Sequence, residues 1–263
     1  MHINNTSYDG FESNFCDKQE FVYRTSKLCD VQKNINLIKN NFNEKITVLD
    51  VGSGNSKFLY ALNKCGMLHH GYGIEISKSR YLFAEKWRKD LDISNVTNIH
   101  SDMFNLEWDL LPECDLIYCP DMVFQFFEPT NTGNGDLFLS KAYNKLKDGG
   151  KLIMELDTCD LILNSMHDGK VKLWREFDEN DPWRYMLWDC NYENNCISLK
   201  KTFIKRDLSK CSNSHVILHP YSRTEAISML DKMHYTNIHI QEYWNTDKDT
   251  EHDEFIIIGE KND

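Results

Sequence analysis

The sequence predicts an α/β fold, a doubly wound and mostly parallel seven-stranded sheet with helices on both faces, plus an antiparallel flap inserted after the fifth strand. A glycine turn, Val48-Leu49-Asp50-Val51-Gly52-Ser53-Gly54, stands between a short apolar run and an amphipathic stretch, as a turn between a strand and a helix does. An acidic residue, Glu75, closes the next apolar run. Strand and helix patterns alternate from Ile46 to Asp157, which is typical of a parallel sheet covered on both faces.

Five strands and three helices account for this alternation. The predicted strands cover residues 46–51, 71–76, 96–100, 115–119 and 151–156, and the predicted helices cover residues 57–65, 79–89 and 136–145. Because ligands of such sheets bind beyond the carboxyl ends of the strands, one edge of the sheet is expected to carry the site. The strand ends place these residues at that edge: Asp50, Glu75, Asp102, Cys119 and residues 155–157.

An amphipathic helical segment, residues 1–45, precedes the sheet, with residues 1–16 predicted as a loop. Asp17-Lys18-Gln19-Glu20 forms a capping box. One stripe of apolar residues follows at helical spacing: Phe21, Leu28, Val31, Ile35, Ile38 and Phe42. The stripe predicts a helix that packs against the rest of the chain.

The pattern changes after Asp157, where strand patterns follow one another without helices between them. The change predicts an antiparallel flap over residues 158–220. Its strands are predicted at 174–177, 184–192, 196–204 and 215–219. A second capping box, Ser222-Arg223-Thr224-Glu225, predicts a helix to about Met233. Strands at 236–244 and 254–259 then complete the core, so that residues 221–263 join residues 46–157 in one sheet.

Length and charge limit the classes of partner. A chain of 263 residues and 31.0 kDa can bury one core with an embedded subdomain. A net charge of −11 argues against a nucleic-acid partner, because affinity for a phosphate backbone requires clustered Lys and Arg. The basic cluster Lys200-Lys201 and Lys205-Arg206 is explained by a solvated strand edge.

The cysteines and histidines do not indicate a metal module. Nine cysteines lack any Cys-x-x-Cys spacing, so we expect reduced thiols and no zinc site. Cys65, His69 and His70 are close in sequence, but we interpret the two histidines as loop residues. The first 20 residues lack the apolar stretch of a signal peptide, and no apolar run reaches membrane-spanning length. We therefore expect a cytoplasmic protein without a membrane partner.

The glycine turn and Glu75 together predict an adenosine-like ligand. Glycines let backbone N–H groups approach a ligand closely, and a carboxylate 25 positions after Asp50 can accept hydrogen bonds from two ribose hydroxyls. The dinucleotide fingerprint requires a third glycine for a pyrophosphate, and this chain continues instead with Asn55-Ser56.

The turn resembles motif I of the class I S-adenosylmethionine (SAM) methyltransferases, whose ligand carries no phosphate. Three later segments are similar to this family in the same order: Ile99-His100-Ser101-Asp102-Met103, residues 113–119 and residues 146–153. The resemblance implies a SAM cofactor with S-adenosylhomocysteine (SAH) as product. It implies that the following residues bind the cofactor: Asp50, Gly52, Gly54, Glu75, Ile76, Asp102, Met103 and Cys119. The alternative is a Rossmann-type domain that binds another nucleotide or none.

The layout is similar to the small-molecule, sugar-modifying branch of that family. The resemblance implies that the flap roofs an acceptor pocket, that the N-terminal helix covers the cofactor, and that an oxygen or nitrogen of a small polar metabolite, such as a sugar or nucleotide-linked sugar, is methylated. A homodimer is compatible with the flap. The alternatives are a protein or RNA methyltransferase and a non-catalytic SAM-binding protein.

An alcohol acceptor would need a base, and two residues are candidates. Asp121 follows the fourth strand, where the family resemblance places the transferring methyl, and His219 ends the last flap strand. Each has a structural alternative, a turn cap for Asp121 and a surface or core position for His219. His167, in the loop entering the flap, is a weaker candidate.

Aromatic and cationic residues of the flap are candidates for acceptor binding. They would hold a planar or anionic acceptor, although a flap core or a dimer interface explains the same composition. The predicted substrate-binding residues are Tyr23, Trp174, Arg184 and Tyr221. Asp121 with Asp157 or Asp160 could hold Mg²⁺. Because Thr158 stands where metal-dependent relatives carry Asn, no metal is predicted.

Overall fold

Two β-sheets organise the part of the chain that the computed structural model describes, residues 17–177, 179, 183–208, 211–242 and 253–262. The main sheet has seven strands in the order β10-β11-β5-β4-β1-β2-β3, and the second has four strands in the order β6-β7-β8-β9. The main-sheet strands are β1 (Ile46–Val51), β2 (Leu68–Glu75), β3 (Val96–His100), β4 (Cys114–Cys119), β5 (Leu146–Asp157), β10 (Thr236–Glu242) and β11 (Glu254–Glu260). The strands of the second sheet are β6 (Lys170–Glu176), β7 (Trp183–Glu193), β8 (Cys196–Lys205) and β9 (Cys211–Leu218). The predicted fold class is confirmed.

Eight helices lie in the described residues. They are α1 (Asp17–Asp30), α2 (Gln32–Asn41), α3 (Lys57–Lys64), α4 (Lys78–Asp90), α5 (Phe127–Thr130), α6 (Asn134–Lys145), α7 (Asp160–Asn164) and α8 (Arg223–Lys232), with short 3₁₀ turns at Trp108–Leu110 and Val123–Phe126. No described helix is both long enough and apolar enough to cross a membrane.

The N-terminal segment forms two helices instead of the single predicted one. The helix breaks at Val31, whose buried side chain packs beside Ile35 and Ile38. Phe21, the first residue of the predicted stripe, is 72% exposed and does not contribute to the core. The capping box at residues 17–19 lies outside the described side chains. Ser222 caps α8 as predicted, because its hydroxyl accepts the Glu225 N–H at 3.2 Å, whereas the Glu225 carboxylate lies 3.4 Å from His219 Nε2.

The central strands are buried on both faces, as parallel strands between helical layers must be. All six residues of β1 are buried, and successive side chains enter two different cores. Leu49 packs with Phe124, Phe138 and other residues on one face of the sheet. Val48 packs on the other face, in the core that contains Trp87.

The strand order reverses beside β1, because the chain adds β2 and β3 on one side and β4 and β5 on the other. Such a switch point opens a crevice at the carboxyl ends of the strands. Glu75 and Cys119 end β2 and β4, and Asp157 ends β5. His69 and His70 lie within β2, so the prediction that they are loop histidines is wrong.

The flap is a separate sheet whose two faces differ, and its described strands do not pair with those of the main sheet. Its inner face carries Cys190, Leu199 and Val216, which stand opposite one another in register and are buried. They form one core with Cys159 and Phe126, residues of the segments that leave the carboxyl ends of β5 and β4. The outer face carries the alternate residues of each strand.

One buried amide fixes the flap to the main sheet. Gln125 is fully buried, and its Nε2 donates to the carbonyl oxygens of Asp157 and His219 at 3.1 and 2.9 Å. Its Oε1 accepts the Asp157 N–H at 2.8 Å, and its own carbonyl accepts the His219 N–H. The end of β5 and the exit of the flap are therefore held by a single side chain.

Candidate active site

The glycine turn packs between β2 and the segment that follows β4. Gly52 and Gly54 have φ angles of +73° and +58°, which favour glycine. The N–H groups of Gly52 and Ser53 both donate to the Ile74 carbonyl at 2.9 Å. A Cβ atom at Gly52 would lie 2.6 Å from Cγ2 of Val123. The turn therefore requires glycine at position 52 both for its backbone angle and for space.

Glu75 joins the glycine turn to the start of α4. Its buried carboxylate accepts the Gly54 N–H at 2.8 Å through Oε2 and the Ser77 N–H at 2.7 Å through Oε1. Each carboxylate oxygen has a second lone pair. Glu75 can therefore hold the turn and also accept hydrogen bonds from a ligand.

Two buried polar atoms at the turn have no hydrogen-bond partner among the described residues, Asp50 Oδ1 and Ser53 Oγ. Asp50 is only 1% exposed. Burial raises the pKa of Asp50 well above its usual range, and the charges of Asp121, Glu75 and Glu155 raise it further, opposed by Lys57. A buried polar atom without a partner costs free energy, so these two atoms are candidates for binding a polar ligand.

The residues that follow β2 and β3 place two apolar side chains, Ile76 and Met103, near the carboxylate of Asp102. Ile76 is 45% exposed, and Met103 is buried. Asp102 accepts the Phe104 N–H at 2.9 Å, which forms a turn and leaves other lone pairs of the carboxylate open. An apolar surface beside an acceptor suits a flat ring with an amino group.

The segment after β4 brings Asp121 next to Asp50. Asp121 and Met122 have φ angles of +50° and +59°, conformations that cost free energy in residues other than glycine and that cluster at functional sites. The Asp121 carboxylate is exposed, and Lys57 Nζ lies 3.7 Å from its Oδ2. Cys119, by contrast, is fully buried, and burial raises the pKa of its thiol well above its usual range, so it is not a nucleophile.

Glu155 links three segments of the chain, a role that the sequence did not reveal. Its Oε1 accepts the Tyr118 hydroxyl and also the Asn34 Nδ2 of α2, the latter at 2.6 Å. Its Oε2 accepts the Asp121 N–H at 3.0 Å. The carboxylate therefore fixes the backbone of Asp121 and holds the N-terminal helices against the sheet.

Replacing Glu155 with glutamine is expected to flatten the pH dependence of stability. Burial and the charge of Asp121 raise the pKa of Glu155 from 4.5 to about 7, so the unfolded chain loses this proton at a lower pH than the folded chain does. Between these values the folded chain binds more protons, and stability falls as pH rises, by up to about 1.4 kcal/mol per pH unit. Urea unfolding across this range measures the slope. Equal slopes in the wild type and in Glu155→Gln would contradict the assignment.

The Tyr23 side chain of α1 contacts the residue that follows the glycine turn. Its hydroxyl accepts Asn55 Nδ2 at 3.1 Å, and its ring packs on Phe83 at 5.9 Å. Together with the contact of Asn34 with Glu155, this contact holds α1 and α2 against the glycine turn and the end of β5.

Two predicted residues are not positioned as expected. The imidazole Nε2 of His219 lies 3.4 Å from Glu225, and its ring packs on Tyr221, so His219 faces α8. Tyr221 is buried in the main core, where it packs on Phe124. Apolar residues surround the Tyr221 ring, its hydroxyl has no hydrogen-bond partner among the described residues, and its role in substrate binding stays a prediction. His167 is exposed and pairs with Asp168.

Trp174 and Arg184 are also not in the predicted position. Trp174 is 66% exposed on the outer face of the flap and packs on Tyr185. Arg184 lies 3.7 Å from Glu176 of the same face and stacks on Tyr185. Neither points toward the segments after β4 and β5. Among the residues that the structure describes, no three His, Cys, Asp or Glu side chains are grouped to hold a metal ion.

Comparison with known proteins identifies the class. A family model described as a methyltransferase domain matches residues 42–206, and the chain therefore belongs to this family, the SAM-dependent methyltransferases of class I. The curated proteins contain no significant match to the sequence.

Solved structures show the same fold. A SAM-dependent methyltransferase from Clostridium acetobutylicum ATCC 824 is 16% identical over 97% of this chain and 96% of its own, with a TM-score of 0.70. SAM-bound CalS10, an amino pentose methyltransferase from Micromonospora echinaspora, is 14% identical over 94% and 98%, with a TM-score of 0.68. The sugar N-methyltransferase KedS8 from Streptoalloteichus sp ATCC 53650 is 11% identical over 87% and 85%, with a TM-score of 0.61.

Proposed function

We propose that this methyltransferase moves the methyl group of SAM to an oxygen or nitrogen of a small polar metabolite, a sugar or nucleotide-linked sugar being the leading class. The flap is the observation that carries this proposal. Its inner face packs on Phe126 and Cys159, in the segments that leave β4 and β5, so the flap stands at the sheet edge that carries Asp121. A flap placed at this edge would limit the room for an acceptor and so favours a small one, and the net charge of −11 disfavours RNA. The likeness to CalS10 and KedS8 supports a sugar.

The residues of the carboxyl edge fit SAM. When bound, SAM supplies a methyl group on a positively charged sulfonium. The acceptor's lone pair would attack the methyl carbon in line with the carbon–sulfur bond, which breaks to leave SAH. The unpartnered Asp50 Oδ1 would accept from the methionine ammonium, and Glu75 from the ribose hydroxyls. Gly52 and Gly54 keep the turn compact, because a Cβ at either position would meet the Val123 or the Arg80 side chain, and Cys119 at the end of β4 completes the proposed cofactor-binding set.

The adenine ring would lie against the residues that follow β2 and β3. Ile76 and Met103 would pack on the ring, and an oxygen of Asp102 would accept from its amino group. Tyr23 would close the site from the N-terminal side through Asn55. The acidic residues of the edge complement the positive charges of the cofactor.

Replacing Glu75 with alanine is expected to weaken SAM binding by about 1 to 3 kcal/mol, because two hydroxyl hydrogen bonds to a carboxylate are lost. Calorimetric titration with SAH measures the effect. Glu75 also holds Gly54 and Ser77, so the free energy of unfolding is measured in parallel. The Glu75→Gln variant keeps one accepting oxygen and replaces the other with an NH₂ group that cannot accept, so it loses the charge and one of the two backbone hydrogen bonds, and its free energy of unfolding is measured as well. Unchanged affinity in both variants would remove Glu75 from the site.

Asp121 is the proposed base for a hydroxyl acceptor. It stands at the carboxyl end of β4 next to Asp50, and Glu155 fixes its backbone. As the acceptor oxygen bonds to the methyl carbon, its proton would pass to the Asp121 carboxylate. His219, the second candidate, lies 3.4 Å from Glu225 and faces α8, away from Asp121.

The cysteines whose side chains the structure describes are free thiols, which supports the cytoplasm as the compartment.

Isotopically labelled SAM tests the proposal directly. The protein is incubated with a panel of nucleotide sugars, amines and carboxylates, and label transfer is followed by mass spectrometry. We expect label in at least one hydroxylated or amino-bearing small molecule. Label found only in protein or RNA would overturn the proposal, and SAM binding without any transfer would favour a non-catalytic protein.

A further inference from the structure

A row of four residues crosses the inner face of the flap next to the core that joins it to the main sheet. In the register of the sheet, Leu173 stands opposite Trp188, Trp188 opposite Lys201, and Lys201 opposite Ser214. Trp188 packs both on this joining core and on the second flap core around Phe203. Facing side chains in neighbouring strands lie about 5 Å apart at Cβ, so the polar groups of the row can meet on one ligand.

Two polar atoms of this row are buried and have no hydrogen-bond partner among the described residues, Trp188 Nε1 and Ser214 Oγ. Leaving a buried donor without a partner costs free energy. The indole N–H can only donate, the lysine ammonium can only donate, and the serine hydroxyl can donate. Three donors side by side in one row match an oxyanion, which only accepts.

The carboxylates of the described flap strands lie on one face only. Glu176, Asp189 and Glu193 alternate to the outer face, together with Lys170, Lys172 and Lys200, whereas the inner face of β6 and β8 carries Arg175 and Lys201 and no strand carboxylate. Burial and the charge of Asp189 raise the pKa of the Cys190 thiol, and Lys201 is close enough to oppose part of this rise. In a chain of net charge −11, an inner face with cations and without strand carboxylates is suited to a negative group.

We propose that Trp188, Lys201 and Ser214 bind an oxyanion, a carboxylate or a phosphate, carried by the methyl acceptor. This deepens the proposed function and rests on it for the identity of the ligand. The positive and the negative groups of the two ligands are then bound at opposite sides of the site. The acidic edge around Asp50 and Asp121 receives the positive cofactor and the nucleophile, and the flap receives the negative end of the acceptor. The anion recognition is assigned to the inner face, which replaces the predicted role of Trp174 and Arg184.

Indole NMR tests the site without knowledge of the acceptor. The full chain, saturated with SAH and labelled with ¹⁵N-tryptophan, is titrated with inorganic pyrophosphate in one arm and with succinate in the other. We expect the Trp188 indole signal to move saturably in at least one arm, and the arm that responds identifies phosphate or carboxylate. The signal is assigned with Trp188→Phe. If the Trp188 signal is unmoved in both arms, the proposal is overturned.

A pair of neighbouring lysines provides the matched control. Lys201→Met is expected to weaken anion binding about tenfold and Ser214→Ala about threefold, since one charged and one neutral hydrogen bond are lost. Lys200→Met, which changes the next residue on the outer face, is expected to leave affinity within about twofold. Equal losses in the two lysine variants would refute the site. SAH affinity is measured in every variant, so failure of cofactor binding is distinguished from failure of the anion site.

Discussion

Replacing Gly52 with alanine is expected to destabilise the fold by about 2 to 4 kcal/mol and to abolish measurable SAM binding. The φ angle of +73° costs free energy for any residue with a Cβ, and the new Cβ would lie 2.6 Å from the Val123 side chain. Relief of that overlap moves the segment that carries Asp121, or the glycine turn itself. Urea unfolding measures the stability, and calorimetry with SAH measures the binding.

Gly66 provides the control for backbone strain alone. Its φ angle is +76°, and a Cβ there would meet nothing within 4 Å, so Gly66→Ala is expected to cost about 1 kcal/mol and to leave SAM affinity unchanged. The double variant Gly52→Ala with Val123→Ala removes the overlap and is expected to recover part of the lost stability. If Gly52→Ala is as stable as Gly66→Ala and still binds SAH, the turn is not packed as described.

Replacing Asp121 with asparagine is expected to lower kcat about 10²-fold for a hydroxyl acceptor while SAM affinity is retained, because the acceptor proton then has no base. Asparagine is the variant of choice, since it tolerates the left-handed backbone angle of +50° that alanine does not. His219→Ala serves as the comparison and is expected to change kcat by less than about threefold, because His219 faces Glu225.

The expected effect of Asp121→Asn on kcat depends on whether the acceptor atom is an oxygen or a nitrogen. An amine needs only to arrive unprotonated, so Asp121→Asn would affect an amine acceptor far less, and the rate would follow the fraction of free amine as pH rises. With a hydroxyl acceptor, a kcat within about threefold of wild type in both single variants and in the double variant would exclude a base. Alignment of the reacting atoms would then be the mechanism.

The sheet and the glycine turn could be predicted because their signals are local. The alternation of strands and helices, the left-handed glycines and the carboxylate at the end of β2 all follow from short stretches of sequence. Errors arose where a local signal misleads. Gly66 and the two histidines indicate a loop, although β2 already begins at Leu68. One apolar stripe indicated one helix, although the helix is interrupted at Val31 and the segment forms two helices.

The site could be predicted only in part, because its remaining contacts depend on pairing between distant segments. Asn34, Tyr118 and Glu155 meet only after three elements are packed together. The face on which Trp174 lies depends on the register with β7, and composition carries no information on register. Tyr221 was predicted from its place after the flap, yet the apolar environment around Phe124 buries it.

A crystal structure of the complex with SAH tests the central claim most directly. The account predicts the ribose hydroxyls within hydrogen-bond distance of Glu75, the methionine ammonium at Asp50 Oδ1, and the sulfur directed toward the space between Asp121 and the inner face of the flap. A ligand bound elsewhere, or bound with its ribose away from Glu75 and its ammonium away from Asp50, would contradict it.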